Sequence, residues 1–161
     1  DAFAKGLGSM AFVAFVIGLA KVISLVLADG NVIHTIVYVL TKPLMSLPKS
    51  VSSVGLTLIV SVINPLIPSA TSKAAILVPI MKPVAEALGL HLNLAVVAYQ
   101  MGDSFTNLLS PLLGWMIGSC IMAEVPFPRW FKWVFPKVIT LILLACVIVF
   151  LLTVTGWTGV I

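Results

Sequence analysis

The stretch Asn64-Pro65-Leu66-Ile67-Pro68-Ser69-Ala70-Thr71-Ser72-Lys73 decides how this chain is read. It places two prolines, an asparagine, three hydroxyl residues and a lysine between apolar arms running from Val51 to Ile67 and from Ala74 to Leu90. Proline removes a backbone donor and disfavours helix at the residue before it, so a helix should fail here. Outward from this point the chain is apolar. Of its 161 residues 61% are hydrophobic and 9% charged, and the mean hydropathy is +1.23. A water-soluble domain is roughly half apolar and about a quarter charged, so too few polar residues remain here to cover a surface in water. The solvent is lipid. Unpaired backbone groups are costly in hydrocarbon, and alternating strands are not visible, so the expected fold is all-helical.

The first expected span is Met10 to Leu27, with Lys21 near one end. After Asp29-Gly30-Asn31 the shorter stretch from Val32 to Leu47, interrupted by Lys42-Pro43, fits an interfacial helix. The arm Ala74–Leu90 carries Pro79 and Pro83 as tolerated kinks, with Lys82 and Glu86 at pairing distance along a helix. A further helix begins near Leu92, is interrupted at GDSFTNLLSP (102–111) and resumes as LLGWMIGSCIM. The segment PFPRWFKWVFPK (126–137) has the aromatic and basic composition of a membrane interface, and a last span follows to about Val154. No linker or repeat divides these residues.

The two interruptions hold the chemistry. Irregular backbone at membrane depth survives only where it is buried in protein or lines a wet cavity. Carriers use such freed groups and half-helix ends to hold substrate and coupling ions. Gln100, Asp103, Asn107 and Ser110 follow one helical stripe, and Asp103 is the one acid far from an expected interface. An acid so placed marks a proton, ion or substrate path, or else hydrogen-bonds within the bundle. In the first interruption, Ser69, Thr71 and Ser72 beside two helix ends would suit an anion; an extramembrane polar loop fits the spacing equally. Lys73 reads either as a snorkelling loop lysine or as a charge for a carboxylate.

Other classes are poorly served. The net charge of +4 comes from scattered cations beside apolar runs, which does not make a nucleic-acid patch. Cys120 and Cys146 lack metal spacing and read as small hydrophobes, and His34 and His91 as interfacial residues, so no metal site is assigned. Trp130 and Trp133 read as belt anchors and Trp115 as packing. Intramembrane aspartyl hydrolysis needs two carboxylates sharing a proton, and Asp1, Asp29, Glu86 and Glu124 all lie near expected interfaces. No catalytic residue is assigned.

The order NPLIPSATSKAAILVPIMKPVAEALGL, AVVAYQMGDSFTNLLSPLLGWMIGSC and VPFPRWFKWVFPKV resembles the C-terminal half of YfcC-type carriers, related to anaerobic four-carbon dicarboxylate carriers. GDSFTNLLSP is also similar to the matching segment of aminobenzoyl-glutamate transporters. The resemblance implies an ion-transporter-superfamily fold: span, interfacial arm, re-entrant hairpin, broken span and final span, duplicated with inverted topology. On it, residues 1–161 form one transmembrane repeat of a larger transporter whose N-terminal half lies outside this chain. By carry-over Asn64, Ser69, Thr71 and Ser72 at the hairpin tip face Asp103, Thr106, Asn107 and Pro111. Together these form half of a substrate and coupling-ion site. The family tends to have glycine between the tip serines, whereas this chain has Ala70.

The expected function is therefore secondary active transport of a small organic anion or amino acid, coupled to Na⁺ or H⁺, by alternating access. The alternative is a non-transporting membrane subunit whose polar clusters only bind neighbouring helices. Expected partners are the small-molecule substrate, the lipid bilayer, the N-terminal half and a homodimer mate, with no nucleic acid. The expected location is a bacterial inner membrane.

Overall fold

A computed structural model describes residues 32–67 and 70–159, together with scattered positions between 11 and 30; the side chains of residues 33, 34, 36, 37, 40, 71, 72 and 76 lie outside that description. The expected span over residues 10–27 falls largely outside it. Every regular element among the described residues is helical. The order is α1 (Val32–Thr41), α2 (Lys49–Ile63), α3 (Ala70–Ala87), α4 (Leu92–Thr106), α5 (Gly114–Met122) and α6 (Phe127–Val154). Three 3₁₀ turns, Lys42–Ser46, Asn64–Leu66 and Asn107–Leu109, extend α1, α2 and α4.

Among the described residues three helical stretches are long and apolar enough to cross a membrane: Lys49–Leu66, Leu92–Met122 and Phe127–Val154. At 1.5 Å per residue the 28-residue α6 is about 42 Å long, more than the hydrocarbon layer needs. Its buried residues, Val134, Val138, Ile142, Ala145 and Val149, recur every three or four positions and form one stripe. Leu143, Leu144, Val147, Leu151 and Val154 face outward, as lipid contact requires. In contrast, the 18-residue α3 carries Lys73, Lys82 and Glu86, too much charge for an ordinary lipid-facing span. Lys82 and Glu86 are exposed and make no ion pair with each other, so the pairing read from their spacing is not formed. Pro79 and Pro83 stand within α3, as expected.

Both interruptions exist, but each is narrower than the sequence suggests. The first is the turn Asn64–Leu66 and extended Ile67, and helix resumes at Ala70, so Thr71 to Lys73 are helical. Ala70 is helical, a conformation that does not require glycine. The second comes late in its motif, because Gly102 to Thr106 complete α4 and the break covers Asn107 to Leu113. Ser110 is extended, at φ −81° and ψ 118°, as a residue before proline should be.

α2 packs against α4 and α6, and α4 against α6. Leu56, Val60 and Ile63 of α2 meet Leu77, Met81 and Val84 of α3 and Leu94, Ala95 and Ala98 of α4. Gly102 lets α2 and α4 approach closely: a Cβ there would lie 2.5 Å from the Thr57 carbonyl oxygen. Small residues at membrane helix contacts allow such backbone approach. The start of α2 and the turn after α3 are joined where Lys49 Nζ donates to the Gly89 carbonyl at 3.2 Å. Asn93 Nδ2 donates to the Thr158 carbonyl at 2.7 Å, which brings the start of α4 and the end of α6 together. At the other end of α6, Trp130 Nε1 donates to the Leu108 carbonyl at 3.1 Å.

Candidate functional site

Asn64 ends α2 and is 1% exposed. Its amide nitrogen lies 2.7 Å from the Asp103 carbonyl, 2.7 Å from Thr106 Oγ1 and 2.8 Å from Asn107 Oδ1. Its amide oxygen accepts from the ammonium of Lys73. The same ammonium forms an ion pair with the Asp103 carboxylate. Because an ammonium only donates and a backbone carbonyl only accepts, both ends of the Asn64 amide require this orientation.

Five residues from three helices thus meet: Asn64 from α2, Lys73 from the first turn of α3, and Asp103, Thr106 and Asn107 from α4 and its break. Lys73 is 1% exposed and Asp103 7% exposed, so the pair is removed from solvent. Withdrawing two charges is tolerated only when they pair and their remaining hydrogen-bonding capacity is met. Among the described residues no buried polar side-chain atom lacks a partner, and Lys73–Asp103 is the one ion pair.

The two breaks are also joined directly. Ser110 Oγ donates to the Pro65 carbonyl at 3.2 Å. Ser61 Oγ donates to the Thr57 carbonyl at 2.8 Å and lies 3.2 Å from the Gly102 carbonyl. Thr106 Oγ1 donates back to the Gly102 carbonyl at 3.0 Å. The Pro65 and Asp103 carbonyls, at the two breaks, are thereby each met by a side chain from the other break.

Of the residues expected at the site, Asn64, Asp103, Thr106 and Asn107 come together. Pro111 is exposed and takes no part in the polar contacts; its effect is on the backbone of Ser110. Ser69 lies outside the described residues, as do the side chains of Thr71 and Ser72. The stripe through Gln100 is corrected: Gln100 is exposed, and Asp103, Thr106 and Ser110 are the buried positions. Trp115 is likewise 56% exposed and does not pack inside. His91 caps α4, its Nδ1 accepting from the Asn93 N–H at 3.3 Å.

Two residues were undervalued by sequence reasoning. Lys73 was ambiguous because lysines at helix ends usually snorkel; its only local signal was a position on the polar side of an apolar arm. Trp130 has belt composition around it, yet its indole secures a carbonyl of the α4 break, something no local pattern reveals. Trp133 is exposed, with the Lys137 ammonium 3.6 Å from its ring centroid.

A groove of about 330 Å³ opens beside the cluster, between α3 and α4, lined by Val78, Met81, Lys82, Tyr99 and Gln100 among others. It is largely apolar and contains none of the five cluster residues. The cluster, where buried charges of both signs meet two helix breaks, is therefore the stronger candidate for recognition of a polar solute.

The chain has relatives among known proteins. The chain is 29% identical over 148 residues to an uncharacterized protein of Haemophilus influenzae, covering 92% of this chain and 29% of the relative. It is 26% identical over 137 residues to the Escherichia coli protein named "Putative basic amino acid antiporter YfcC", covering 82% of this chain and 27% of the relative. The chain thus spans under a third of the length of these relatives. No solved structure matches it. The model of one family, C4-dicarboxylate anaerobic carrier (DcuC), matches residues 1–154, and the chain belongs to that family of membrane carriers.

Proposed function

We propose that this chain supplies one half of the substrate and coupling-ion site of a secondary active transporter in a bacterial inner membrane. The cargo is a small organic anion such as a dicarboxylate, or an amino acid, coupled to Na⁺ or H⁺ movement by alternating access. The observation that carries this reading is the meeting of two helix interruptions at one buried charged cluster, Asn64–Lys73–Asp103. Interrupted helices expose backbone dipoles and polar side chains at a cost that a merely structural span avoids, and carriers use such places for binding.

In this reading α2 and α3 form a re-entrant hairpin with its tip at residues 64–70, and α4–α5 is the broken span. A matching N-terminal repeat of inverted topology supplies the other half, and the assembled carrier pairs as a homodimer. The coverage of the relatives, 29% and 27% of their lengths, leaves room for such a repeat. Both cargo classes find a complement in the cluster, a carboxylate at Lys73 and an ammonium or guanidinium at Asp103. The family description favours the dicarboxylate, and the name of the E. coli relative the basic amino acid. Carrier chemistry involves no bond breaking, so no residue is given a catalytic role.

The test is uptake by the full-length gene product in proteoliposomes, against a panel of dicarboxylates and amino acids with and without Na⁺ or pH gradients. Saturable, gradient-dependent uptake of one class supports the reading. No uptake of any member by monodisperse protein would favour a membrane scaffold in which the polar contacts only join helices.

A further inference from the structure

Among the described residues Lys73 is the largest side chain that the fold buries completely. The other described lysines, at 42, 49, 82, 132 and 137, are exposed or half-buried and can reach an interface. Lys73 instead turns inward from the first turn of α3 and places its ammonium between Asn64 Oδ1 and the Asp103 carboxylate. A carboxylate and a neutral amide oxygen are what a hard monovalent cation also requires once its water is removed. The position has a mechanical consequence. By holding the Asn64 oxygen, the ammonium turns the amide nitrogen toward the Asp103 carbonyl, Thr106 Oγ1 and Asn107 Oδ1, where the α4 break begins. A positive charge at this point therefore sets the register between the hairpin tip and the broken helix.

We infer that the Lys73 ammonium is a tethered cation occupying the coupling-cation position of this half-site, so that this half takes up no Na⁺ of its own. The inference rests on the transport reading above and narrows it. The charge that neutralises Asp103 and holds the α4 break travels with the protein, and any coupling ion drawn from the medium binds elsewhere. Lys73 then differs from a simple carboxylate anchor: its removal creates a site for a free cation, whereas removing an anchor would only lose the cargo.

The experiment uses the full-length gene product, Lys73→Ala, which opens space at the ammonium position, and Lys73→Met, which fills it with a neutral chain. Uptake of the supported solute is measured in K⁺ medium and then with Na⁺ or methylammonium added. Removing one member of a buried ion pair should lower uptake by Lys73→Ala at least about 100-fold in K⁺ medium. Na⁺ or methylammonium should restore most of it, should leave Lys73→Met inactive, and methylammonium should not stimulate the wild type. In parallel, the melting temperature of detergent-purified Lys73→Ala should rise by several degrees with either cation. The double variant Lys73→Ala/Asp103→Asn, which lacks the carboxylate, should show no such rise. If Lys73→Ala does not survive extraction in K⁺, extraction with methylammonium present is expected to recover it. Uptake near the wild-type rate by Lys73→Ala in K⁺ would overturn the inference. So would monodisperse Lys73→Ala whose uptake and melting ignore both cations. If the wild type moves no solute, the transport reading fails, and the melting measurements still decide whether a cation replaces the ammonium.

Discussion

Gly102→Ala tests the close approach of α2 and α4 and the site that depends on it. The added methyl would lie 2.5 Å from the Thr57 carbonyl oxygen, 2.9 Å from Val60 Cβ and 3.2 Å from the Ser61 nitrogen. Two of these three neighbours are backbone atoms, which cannot rotate away. A carbon–oxygen contact ordinarily needs about 3.4 Å, so α2 and α4 must part by roughly 1 Å at this level. Overpacking of this kind costs about 1–3 kcal/mol. The separation also lengthens Ser61 to the Gly102 carbonyl, now 3.2 Å, and Asn64 to the Asp103 carbonyl, now 2.7 Å. Each of the two weakened hydrogen bonds adds about 1 kcal/mol, for a total of about 3–5 kcal/mol. The same displacement moves Asn64 relative to Asp103 and Asn107, so uptake should fall more than protein abundance does. The assay is thermal melting of the detergent-purified full-length protein, followed by uptake in proteoliposomes. Gly18→Ala is the control, because among the described residues nothing lies within 4 Å of a Cβ at that helical position. Gly102→Ala with the melting temperature and uptake of the wild type would refute the close α2–α4 approach and the geometry built on it.

Asp103→Asn should abolish uptake and lower stability by about 3–5 kcal/mol, since it leaves the buried Lys73 without its counter-charge; uptake at the wild-type rate would remove Asp103 from the site. Asn107→Ala, half-buried and outside the ion pair, should also abolish uptake while keeping abundance near normal, which immunoblotting of membranes checks. Trp130→Phe keeps the ring but loses the donor to the Leu108 carbonyl, and should cost about 1 kcal/mol in thermal melting; no change would mean that water or lipid serves that carbonyl equally well. Cysteines at Lys49 and Arg129 should label from opposite faces of the membrane, with Arg129 cytoplasmic by its excess of neighbouring cations, and labelling from one face would exclude the arrangement of α2 and α6 described above.

Much of this molecule is legible in the sequence because its determinants are local. Apolar runs of spanning length, the aromatic and basic belt before α6, and prolines at 65 and 111 each act within a turn or two of themselves. They dictate helices, an interface and two breaks whatever the rest of the chain does. The same local logic picks out Asp103 and Asn107 as polar residues that lipid would reject, whereas Asn64 and Thr106 entered the expected site through the family resemblance. It misplaces the edges of the breaks, because proline mainly constrains the residue before it and helix can resume or persist closer to it than composition suggests.

The partnerships were decided only by the tertiary structure. Asn64 and Thr106 are 42 residues apart, and Lys73 and Asp103 are 30 apart. Their meeting depends on the close α2–α4 contact at Gly102 and on the first turn of α3 pointing its lysine inward. Periodicity along one helix cannot report which neighbour covers which face. For that reason it assigned Gln100 to the buried stripe, left Lys73 undecided and read Trp130 as an anchor alone. A buried charge becomes intelligible only with its counter-charge, and here that counter-charge is supplied by a different helix.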